Sequence, residues 1–466
     1  MKIFFGNWRF YAIVVIVNFI SILAGVMLTW PSPVLPKLLS NTTLSENPLG
    51  RLITTQEKSW IAALASLGGI FGPPLTGFVM EKFGRKLAIA TVHLPNMFSG
   101  LMAAFGKNVW WFYVARFVGG MGSHSAIAMG AIYFGEIGKS HNRGMLFTTT
   151  SISINLGALL SYCVGPYTSI QVFNLIIFAI ALVGFFGTLL YVPESPYFLL
   201  QKGRIEAARQ SIEIFKGSKN VQSEIKEIED NIAKTRHDGL LAIFQTNVTR
   251  RAFLMALLVV ALSQCSGVNV IYSFTELIFE ESGSTYNTVV SAILVGVAQL
   301  LTVFITTFGI DKLGRKKMMV FSSTGLAFTL GILATYFRFK TANSDNIESL
   351  KWLPIACLMC FVCLFNSGMG GVPFLYMGEI LPLNVKSVGS ATVMATFCFI
   401  GFLLIFFFSD VTASIGTGGG FYLFAGAMAF MALYTSIWVV ETKGKTLQEI
   451  HDCLDKSEKT KSAFPA

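Results

Sequence analysis

The hexapeptide EKFGRK at residues 81–86 returns as DKLGRK at residues 311–316. Both copies contain an acidic residue, a lysine, a large apolar residue, glycine, arginine and lysine in the same order. Each copy directly follows a long apolar stretch. Self-similarity of this kind at corresponding places in a chain is the signature of internal repetition. The repeat therefore predicts that the two halves of the chain share one structure.

The composition is that of a membrane protein. Hydrophobic residues make up 53% of the 466 residues and charged residues 13%, and the mean hydropathy is +0.63. Apolar stretches of about 18 to 25 residues recur along the chain, and each can cross about 30 Å of hydrocarbon as a helix. We predict that twelve of them span the membrane. They lie near residues 10–30, 59–80, 87–106, 109–134, 145–166, 170–192, 252–274, 286–310, 317–337, 352–376, 388–410 and 417–440.

The distribution of positive charge predicts the orientation of these spans. If both termini are cytoplasmic, about 27 of the 35 lysines and arginines fall in cytoplasmic segments, and Arg116 alone lies within a span. The net charge of +10 then reflects loops beside an anionic leaflet, so nucleic acid is not needed to explain it. We expect a multi-pass protein, in the plasma membrane.

Further repeated motifs support the duplication. GEIGKSHNR at 135–143 follows the fourth predicted span, and GEILPLNVK at 378–386 follows the tenth. PESP at 193–196 and VETK at 440–443 follow the sixth and twelfth spans. Because six spans return the chain to the same side, the halves are expected to be parallel repeats.

This reasoning predicts an all-α membrane protein with twelve transmembrane helices in two parallel six-helix repeats. Between the halves, RIEAARQSIEIF and VQSEIKEIEDNIAK have helical apolar spacing and many charge pairs four residues apart. They predict a short cytoplasmic helical linker. The expected division is an N-terminal bundle at 1–192, the linker at 193–251, a C-terminal bundle at 252–440 and a short cytoplasmic tail at 441–466.

Charged residues at the cytoplasmic span ends are predicted to form a gate. Acids and bases there could pair between neighbouring helices and across the halves, and so hold the cytoplasmic side closed. Isolated exposed pairs contribute only about 0–1 kcal/mol, but a network need only bias two states that differ by a few kcal/mol. The alternative is that these charges only anchor the spans. The predicted gate comprises Glu81, Arg85, Glu136, Arg143, Glu194, Asp311, Arg315, Glu379, Lys386 and Glu441.

The sequence gives little sign of metal binding or of enzyme chemistry. The CxxCxxC run at 357–363 lies within a predicted span and has no nearby histidine or acidic residue, so its cysteines are expected to act as small apolar residues. No cluster of nucleophiles or metal ligands is evident. We therefore expect neither a metal nor a cofactor, and no enzymatic activity.

Seven motifs occur in order along the chain. They are GFVMEKFGRK, RFVGG, YFGEI, PESPYFLL, SQCSGVN, DKLGRK and ETKGKTL. Together they resemble the sugar porter branch of the major facilitator superfamily. Within that branch, WPSPVLPKL at 30–38, GVAQ at 296–299 and MGEILP at 377–382 are similar to insect facilitated trehalose transporters. The resemblance covers nearly the whole chain and implies the major facilitator fold and a facilitative sugar carrier that works by alternating access.

The resemblance also implies which residues bind the sugar. Gln264 and Asn269 match the family's sugar-contacting amides in the seventh span, and Gln299 and Asn155 match the trehalose-like pattern. Five residues apart, Gln264 and Asn269 would point in different directions on an unbroken helix. The intervening residues 266–267 therefore predict local unwinding. Amides suit this task because each offers both donors and an acceptor to hydroxyl groups.

The chain departs from the hexose-carrier pattern at several of these positions. Ser151 and Ser263 stand where such carriers have glutamine, and Phe374 replaces a tryptophan. These three are included in the expected substrate site, where the smaller serines would widen it and Phe374 would offer an apolar face to a sugar ring. Lys386 replaces an arginine, so it supplies a point charge rather than a planar fork. The substrate is expected to be trehalose or a hexose. The wider site would admit a disaccharide such as trehalose, and a less polar solute is the alternative.

Two further functional classes are kept open. A proton-coupled sugar symporter is the main alternative, with His124 as its best coupling group. The resemblance disfavours it, because proton-coupled relatives have an aspartate where this chain has Leu23. A sugar sensor that does not transport is less favoured, since such sensors often have a long cytoplasmic tail.

The remaining expectations concern partners and modification. The expected partners are a small-molecule sugar and the lipid bilayer. The sequence is compatible with a monomer and leaves the oligomeric state open. Asn41 lies in an acceptor sequon of the outer loop after the first span, so it is expected to be glycosylated.

Overall fold

The computed structural model describes residues 8–40, 47–138, 143–216, 221–234, 240–284, 286–342, 345–382, 384–445 and 449–450. Helices dominate this part of the chain, and no strand occurs within these ranges. Membrane burial favours this outcome, because a helix satisfies its own backbone polar groups where no water is available. The predicted all-α membrane class is confirmed. The chain forms two compact units, Met1–Thr235 and Arg236–Ala466.

The described part of the N-terminal unit contains six long helices, one short helix that follows the first of them, and three shorter linker helices. Its longest helices, α3 and α5, each have 29 residues. In chain order, the helices are α1 Trp8–Thr29, α2 Pro31–Leu39, α3 Thr55–Phe83, α4 Arg85–Phe105, α5 Val109–Ile137, α6 Arg143–Val164, α7 Ile170–Tyr191, α8 Pro196–Gln201, α9 Ile205–Lys216 and α10 Gln222–Lys234.

The C-terminal unit repeats the six-span plan, with breaks inside several spans. It begins with a short 3-10 helix, Leu240–Phe244, and a second one, Asp345–Leu350, precedes the tenth span. The longest helix, α17, contains two predicted spans separated by Gly416, whose φ is +78°. The helices are α11 Asn247–Gln264, α12 Val268–Ser282, α13 Thr288–Leu313, α14 Arg315–Thr341, α15 Leu353–Leu364, α16 Val372–Ile380 and α17 Lys386–Trp438.

In the described part of the chain, nine helical stretches are long and apolar enough to cross a membrane. One of them, Lys386–Trp438, contains the last two predicted spans. Two other predicted spans are helical but fall outside these nine. Helix α5 is long enough, but it carries Arg116, His124 and several glycines. Helix α13 is apolar over the shorter range Thr288–Phe304.

The first span ends where proline interrupts the backbone hydrogen bonds. Pro31 has no N–H, so the carbonyl of Met27, four residues earlier, lacks its usual helical partner. The Arg116 side chain donates to this carbonyl from α5, with an Nη1–O distance of 2.9 Å. A break that proline imposes on α1 is thus filled by a charged side chain from another helix.

The tenth span is broken between α15 and α16 by a π-helical turn, Phe365–Met369. Ser322 of α14 bridges this break, because its hydroxyl donates to the Leu364 carbonyl at 2.7 Å and accepts from the Met369 N–H at 3.1 Å. Gly368 allows the close approach, since a Cβ there would lie 2.6 Å from the Met318 carbonyl oxygen. The backbone groups freed by the break are therefore satisfied within the bundle.

The linker helices pack on the N-terminal unit. The Phe215 ring of α9 makes edge-to-face contacts with Tyr133 and Phe10, at centroid distances of 6.4 and 6.5 Å. The Ser211 hydroxyl donates to the Glu194 carbonyl at 2.6 Å. Helices α9 and α10 also share a small apolar cluster. Its buried members are Ile212, Val221, Ile225 and Ile228.

Candidate functional sites

The EKFGRK repeat forms the junction between α3 and α4. Gly84 separates the two helices with a φ of +102°, a conformation that favours glycine. The next residue, Arg85, donates through Nε and Nη2 to both carboxylate oxygens of Glu136 on α5, at 2.7 to 3.0 Å. Only 9% of the Arg85 side chain and 14% of the Glu136 side chain are exposed. This ion pair is bidentate and largely desolvated, the geometry in which such pairs are strongest.

The carboxylate of Glu194, in the PESP motif, caps the start of α4. It accepts hydrogen bonds from the backbone N–H groups of Arg85 and Lys86, the shorter at 2.7 Å. The first N–H groups of a helix have no partner within it and carry partial positive charge, so an anion is favoured there. A Cβ at Gly84 would lie 2.2 Å from Glu194 Oε2, so glycine also leaves room for this carboxylate.

The C-terminal unit repeats this arrangement around DKLGRK. Gly314 has a φ of +90° and separates α13 from α14. Arg315 donates through Nε and Nη2 to Glu379 Oε1, at 3.2 and 2.9 Å. Glu441, in the VETK motif, accepts from the Arg315 N–H at 2.9 Å. Each copy of the repeat thus joins two helices and the segment that follows the last span of its own unit.

Two hydroxyl residues in these junctions were not predicted from the sequence. Ser195 donates to the Glu136 carboxylate, and Thr442 donates to Glu379 Oε2 at 2.6 Å in the other unit. Each directly follows the capping glutamate of its unit. The matched hydroxyl after Glu194 and Glu441 is a signal that could have identified both residues.

The surroundings of Glu441 shift its pKa. Partial burial raises the pKa, but hydrogen bonds from four backbone N–H groups together outweigh it, so the pKa lies below the ordinary 4.5. The donors belong to Arg315, Lys316, Thr442 and Lys443. Because the pKa is lower in the folded state than in the unfolded chain, the ionised carboxylate stabilises the fold at neutral pH.

We therefore expect Glu441→Gln to lower the thermal unfolding temperature at pH 7, and the difference from the unchanged protein to shrink below pH 4.5. As pH falls through the folded pKa, Glu441 is protonated in both states and its contribution is lost. Unfolding of the detergent-solubilised protein between pH 7 and pH 3.5 measures this. An equal difference at both pH values would contradict the assigned role.

Other predicted gate residues lie in different surroundings. Glu81 is exposed and forms no ion pair with any described residue. Lys386 is half-buried at the start of α17, and the described residues include no ion-pair partner within 4 Å. The side chains of Arg143 and Asp311 lie outside the described part of the structure, as does Asn41. The structure brings together Arg85, Glu136 and Glu194 in one unit, and Arg315, Glu379 and Glu441 in the other.

The predicted amides of the seventh span flank a break in its helix. Helix α11 ends at Gln264 and α12 begins at Val268, with Gly267 between them at a φ of +76°. The unwinding predicted at residues 266–267 is therefore present. Both amides lie against Gly401 of α17, where a Cβ would be 2.2 Å from Gln264 Nε2 and 3.3 Å from Asn269 Nδ2. Gly401 was not predicted from the sequence and leaves the space for this placement.

The third predicted amide belongs to α13. Gln299 is 2% exposed, and the Tyr272 side chain of α12, which was not predicted, lies beside its amide. Tyr272 follows Asn269 by three residues, so the two share a face of α12. Asn366, within the break of the tenth span, has a buried amide nitrogen without a partner among the described residues. It is a further candidate for solute contact that the sequence reasoning missed.

Two other predicted substrate residues, Ser263 and Phe374, contact groups of the protein itself. The Ser263 hydroxyl is buried and donates to the Val260 carbonyl of its own helix at 2.7 Å. The Phe374 ring is half-buried and makes an edge-to-face contact with Phe397 at 5.2 Å. Phe397 of α17 therefore contacts two predicted site residues. Its ring contacts Phe374, and its carbonyl accepts a hydrogen bond from Gln264.

Two predicted substrate residues belong to α6 of the N-terminal unit. Asn155 is 7% exposed, and its amide nitrogen donates to the Ser151 carbonyl at 2.8 Å. This bond within the helix satisfies one of its donors. The Ser151 side chain is exposed. The amides of the seventh and eighth spans belong to the C-terminal unit.

Arg116 is held by neutral groups. It is 3% exposed, donates to the carbonyl oxygens of Met27 and Ile61 at 2.9 and 3.0 Å, and lies 5.0 Å from the centroid of the Trp30 ring. No acidic side chain among the described residues pairs with it. Carbonyl dipoles and an aromatic face thus stabilise a charge that would otherwise be costly in the membrane interior.

His124 makes a local contact. Its Nδ1 is 3.0 Å from the Gly120 carbonyl of the same helix, and its ring packs where a Cβ at Gly69 would lie 2.6 Å away. Leu23, at the position where proton-coupled relatives are expected to have aspartate, is fully buried in α1. The described residues around Arg116 and His124 therefore lack an acid that could exchange a proton with them.

Residues 17–454 match the family described as sugar (and other) transporter. The chain belongs to this family. The transporter is 32% identical over 439 residues to the facilitated trehalose transporter Tret1 of Polypedilum vanderplanki, covering 92% of this chain and 85% of that one. It is 30% identical to Tret1 of Anopheles gambiae, where the match covers 92% of this chain and 54% of that protein.

A solved structure shows the same fold. The proton:xylose symporter XylE bound to 6-bromo-6-deoxy-D-glucose superposes with a TM-score of 0.75 and 22% identity, covering 96% of this chain and 99% of that chain. The transporter therefore has the major facilitator fold, as predicted. It is a multi-pass membrane protein. Its family indicates that its substrate is a small-molecule sugar, and that it transports this substrate rather than catalysing a reaction.

Proposed function

We propose that the transporter carries trehalose or a hexose across the membrane by alternating access. The observation that supports this most directly is the break at residues 265–267, with Gln264 and Asn269 beside it against Gly401. A broken span frees amide groups in the membrane interior, where they would be costly unless they bind a polar solute. The named function of the Tret1 relatives supports trehalose as the first sugar to test.

We further propose that transport is a uniport. A proton symporter needs a titratable group in the membrane interior that couples its protonation to substrate binding. Arg116 instead contacts carbonyl groups and Trp30, and Leu23 occupies the position expected for an acid. The Tret1 relatives, described as facilitated transporters, support the same proposal, whereas XylE shares only the fold.

Uptake should therefore stop at equal concentrations inside and outside, and a protonophore should leave its rate unchanged. The measurement uses radiolabelled trehalose, glucose, fructose and polyols in cells that lack their own uptake systems. Accumulation several-fold above the outside concentration, abolished by the protonophore, would instead establish symport. Binding of a sugar without any uptake would indicate a sensor.

The charged junctions at the span ends are proposed to act as the cytoplasmic gate, with both termini on that side and the carrier in the plasma membrane. We also propose the division into bundles at 1–192 and 252–440 with a linker at 193–251 and a tail at 441–466. Each junction connects three segments that are distant in sequence. Such contacts would bias one conformation over another if they differ between the two states.

A further inference from the structure

Three buried polar groups in the N-terminal unit have oxygen atoms without a hydrogen-bond partner among the described residues. They are Asn18 Oδ1 and Ser21 Oγ on α1, and Thr150 Oγ1 on α6. These residues are 5%, 1% and 7% exposed. A buried polar atom without a partner is unfavourable, so three of them on two helices of one unit call for a ligand that satisfies them.

The amide of Asn18 has a fixed orientation. Its Nδ2 donates to the Val14 carbonyl at 2.9 Å and to Thr149 Oγ1 of α6 at 3.0 Å. A backbone carbonyl can only accept a hydrogen bond, so the atom beside Val14 must be the nitrogen. Both N–H groups are used in this way, and Oδ1 remains as an acceptor. Ser21 lies one turn further along α1, on the same face as Asn18.

Gly130 of α5 lies opposite the two hydroxyl groups. The nearest neighbours of a Cβ at this position would be Thr150 Cγ2 at 3.5 Å, Thr150 Oγ1 at 3.6 Å and Ser21 Oγ at 3.9 Å. These are ordinary contact distances, so no atom of α1 or α6 occupies this point. The hydroxyl groups therefore converge on a space that exists because residue 130 has no side chain. Asn18, Ser21, Gly130 and Thr150 are called the Gly130 site below.

The Gly130 site lies in the half of the unit that is next to the charged junction. Gly130 precedes the end of α5 at Ile137 by seven residues, and Thr150 follows the start of α6 at Arg143 by the same number. At 1.5 Å per residue, the site is about 10 Å from the helix ends near Glu136. Because the hydrocarbon layer is about 30 Å thick, the site is on the cytoplasmic side of the midplane in the proposed orientation.

We propose that the Gly130 site binds a hydroxyl group of the solute as the solute leaves toward the cytoplasm. The inference rests on the proposed sugar transport and adds a contact in the N-terminal unit to the path of the same solute. The ligand class is a neutral polyhydroxylated molecule. A hydroxyl group can donate to Asn18 Oδ1 and also accept from Ser21 or Thr150, whereas an ether or a carboxylate offers no donor to Asn18.

The test compares transport from the two sides of the membrane. Right-side-out and inside-out vesicles that contain the full chain are given radiolabelled trehalose, glucose or fructose, and the sugar that is carried is then used throughout. Ser21→Ala and Thr150→Val each remove one hydroxyl group. Each should raise the half-saturation concentration about 5- to 10-fold from the cytoplasmic side and leave it within about twofold from the outer side.

Gly130→Ala tests the space itself. The added methyl group would occupy the point on which the hydroxyl groups converge, so the half-saturation concentration from the cytoplasmic side should rise although both hydroxyl groups remain. Gly77→Ala is the matched control in α3 of the same unit, since no atom lies within 4 Å of a Cβ at that position. It should leave the values from both sides unchanged. Thermal unfolding of each variant is measured in parallel.

The outcomes distinguish this inference from the proposed function. Absence of uptake of all three sugars by the unchanged protein, from both sides, would reject the proposed sugar transport and the inference with it. Normal uptake with an unchanged cytoplasmic half-saturation concentration in all three site variants would reject the Gly130 site alone. An equal rise from both sides would also reject it, and a lower unfolding temperature would then assign these residues to packing.

Discussion

The Gln264→Ala and Asn269→Ala variants are expected to need roughly 5- to 150-fold more sugar for half-maximal uptake. Each change removes a hydrogen-bond partner of the solute, worth about 1–3 kcal/mol in a buried site. Gln264 has a buried oxygen without a partner among the described residues, which leaves this atom available to the solute. Concentration-dependent uptake measures the effect, with surface expression determined in parallel.

Thr329→Val is a suitable control, because the Thr329 hydroxyl donates only to the Gly325 carbonyl of its own helix. It should leave half-saturation within about twofold of the unchanged protein. If both amide variants also transport like the unchanged protein at normal expression, solute contact by these amides is refuted and the site lies elsewhere.

The second large effect is expected at the charged junctions. Arg85→Ala should favour the inward-open state, because Glu136 loses three close contacts from a bidentate partner. Arg315→Ala should act in the same direction but less strongly, since Arg315 contacts one oxygen of Glu379 and the pair is more exposed. Breaking a desolvated pair costs more than breaking an exposed one.

A cysteine introduced at Ser151 reports the conformational change. Its labelling from the cytoplasmic side, in inside-out vesicles of an otherwise cysteine-free chain, should rise several-fold in Arg85→Ala and by a smaller factor in Arg315→Ala. Arg51→Ala, which removes an exposed ion pair with Glu57 near the start of α3, serves as the control. Unchanged or reduced labelling in both junction variants would refute the gating role, and the arginines would then serve only to anchor the ends of the spans.

Much of the fold followed from local pattern. Apolar length predicted the spans, because a helix must cover a fixed thickness of hydrocarbon. The unwinding between Gln264 and Asn269 was also predictable, since glycine is the residue that most readily takes a positive φ. The repeated motifs indicated that each half has the same helix junctions. Each of these signals is contained in a short stretch of the sequence.

The partners of the functional groups depended on tertiary structure. Among the described residues, Glu136 is contacted by Arg85, which lies 51 residues away and is not identified as its partner by spacing along the chain. The space at Gly401 and the carbonyl groups around Arg116 likewise come from helices far apart in sequence. The sequence determined the helices, their breaks and the duplicated motifs, because hydrophobic length and backbone preference act locally. Only packing decided which polar groups meet, since each contact depends on how several helices rotate and approach one another.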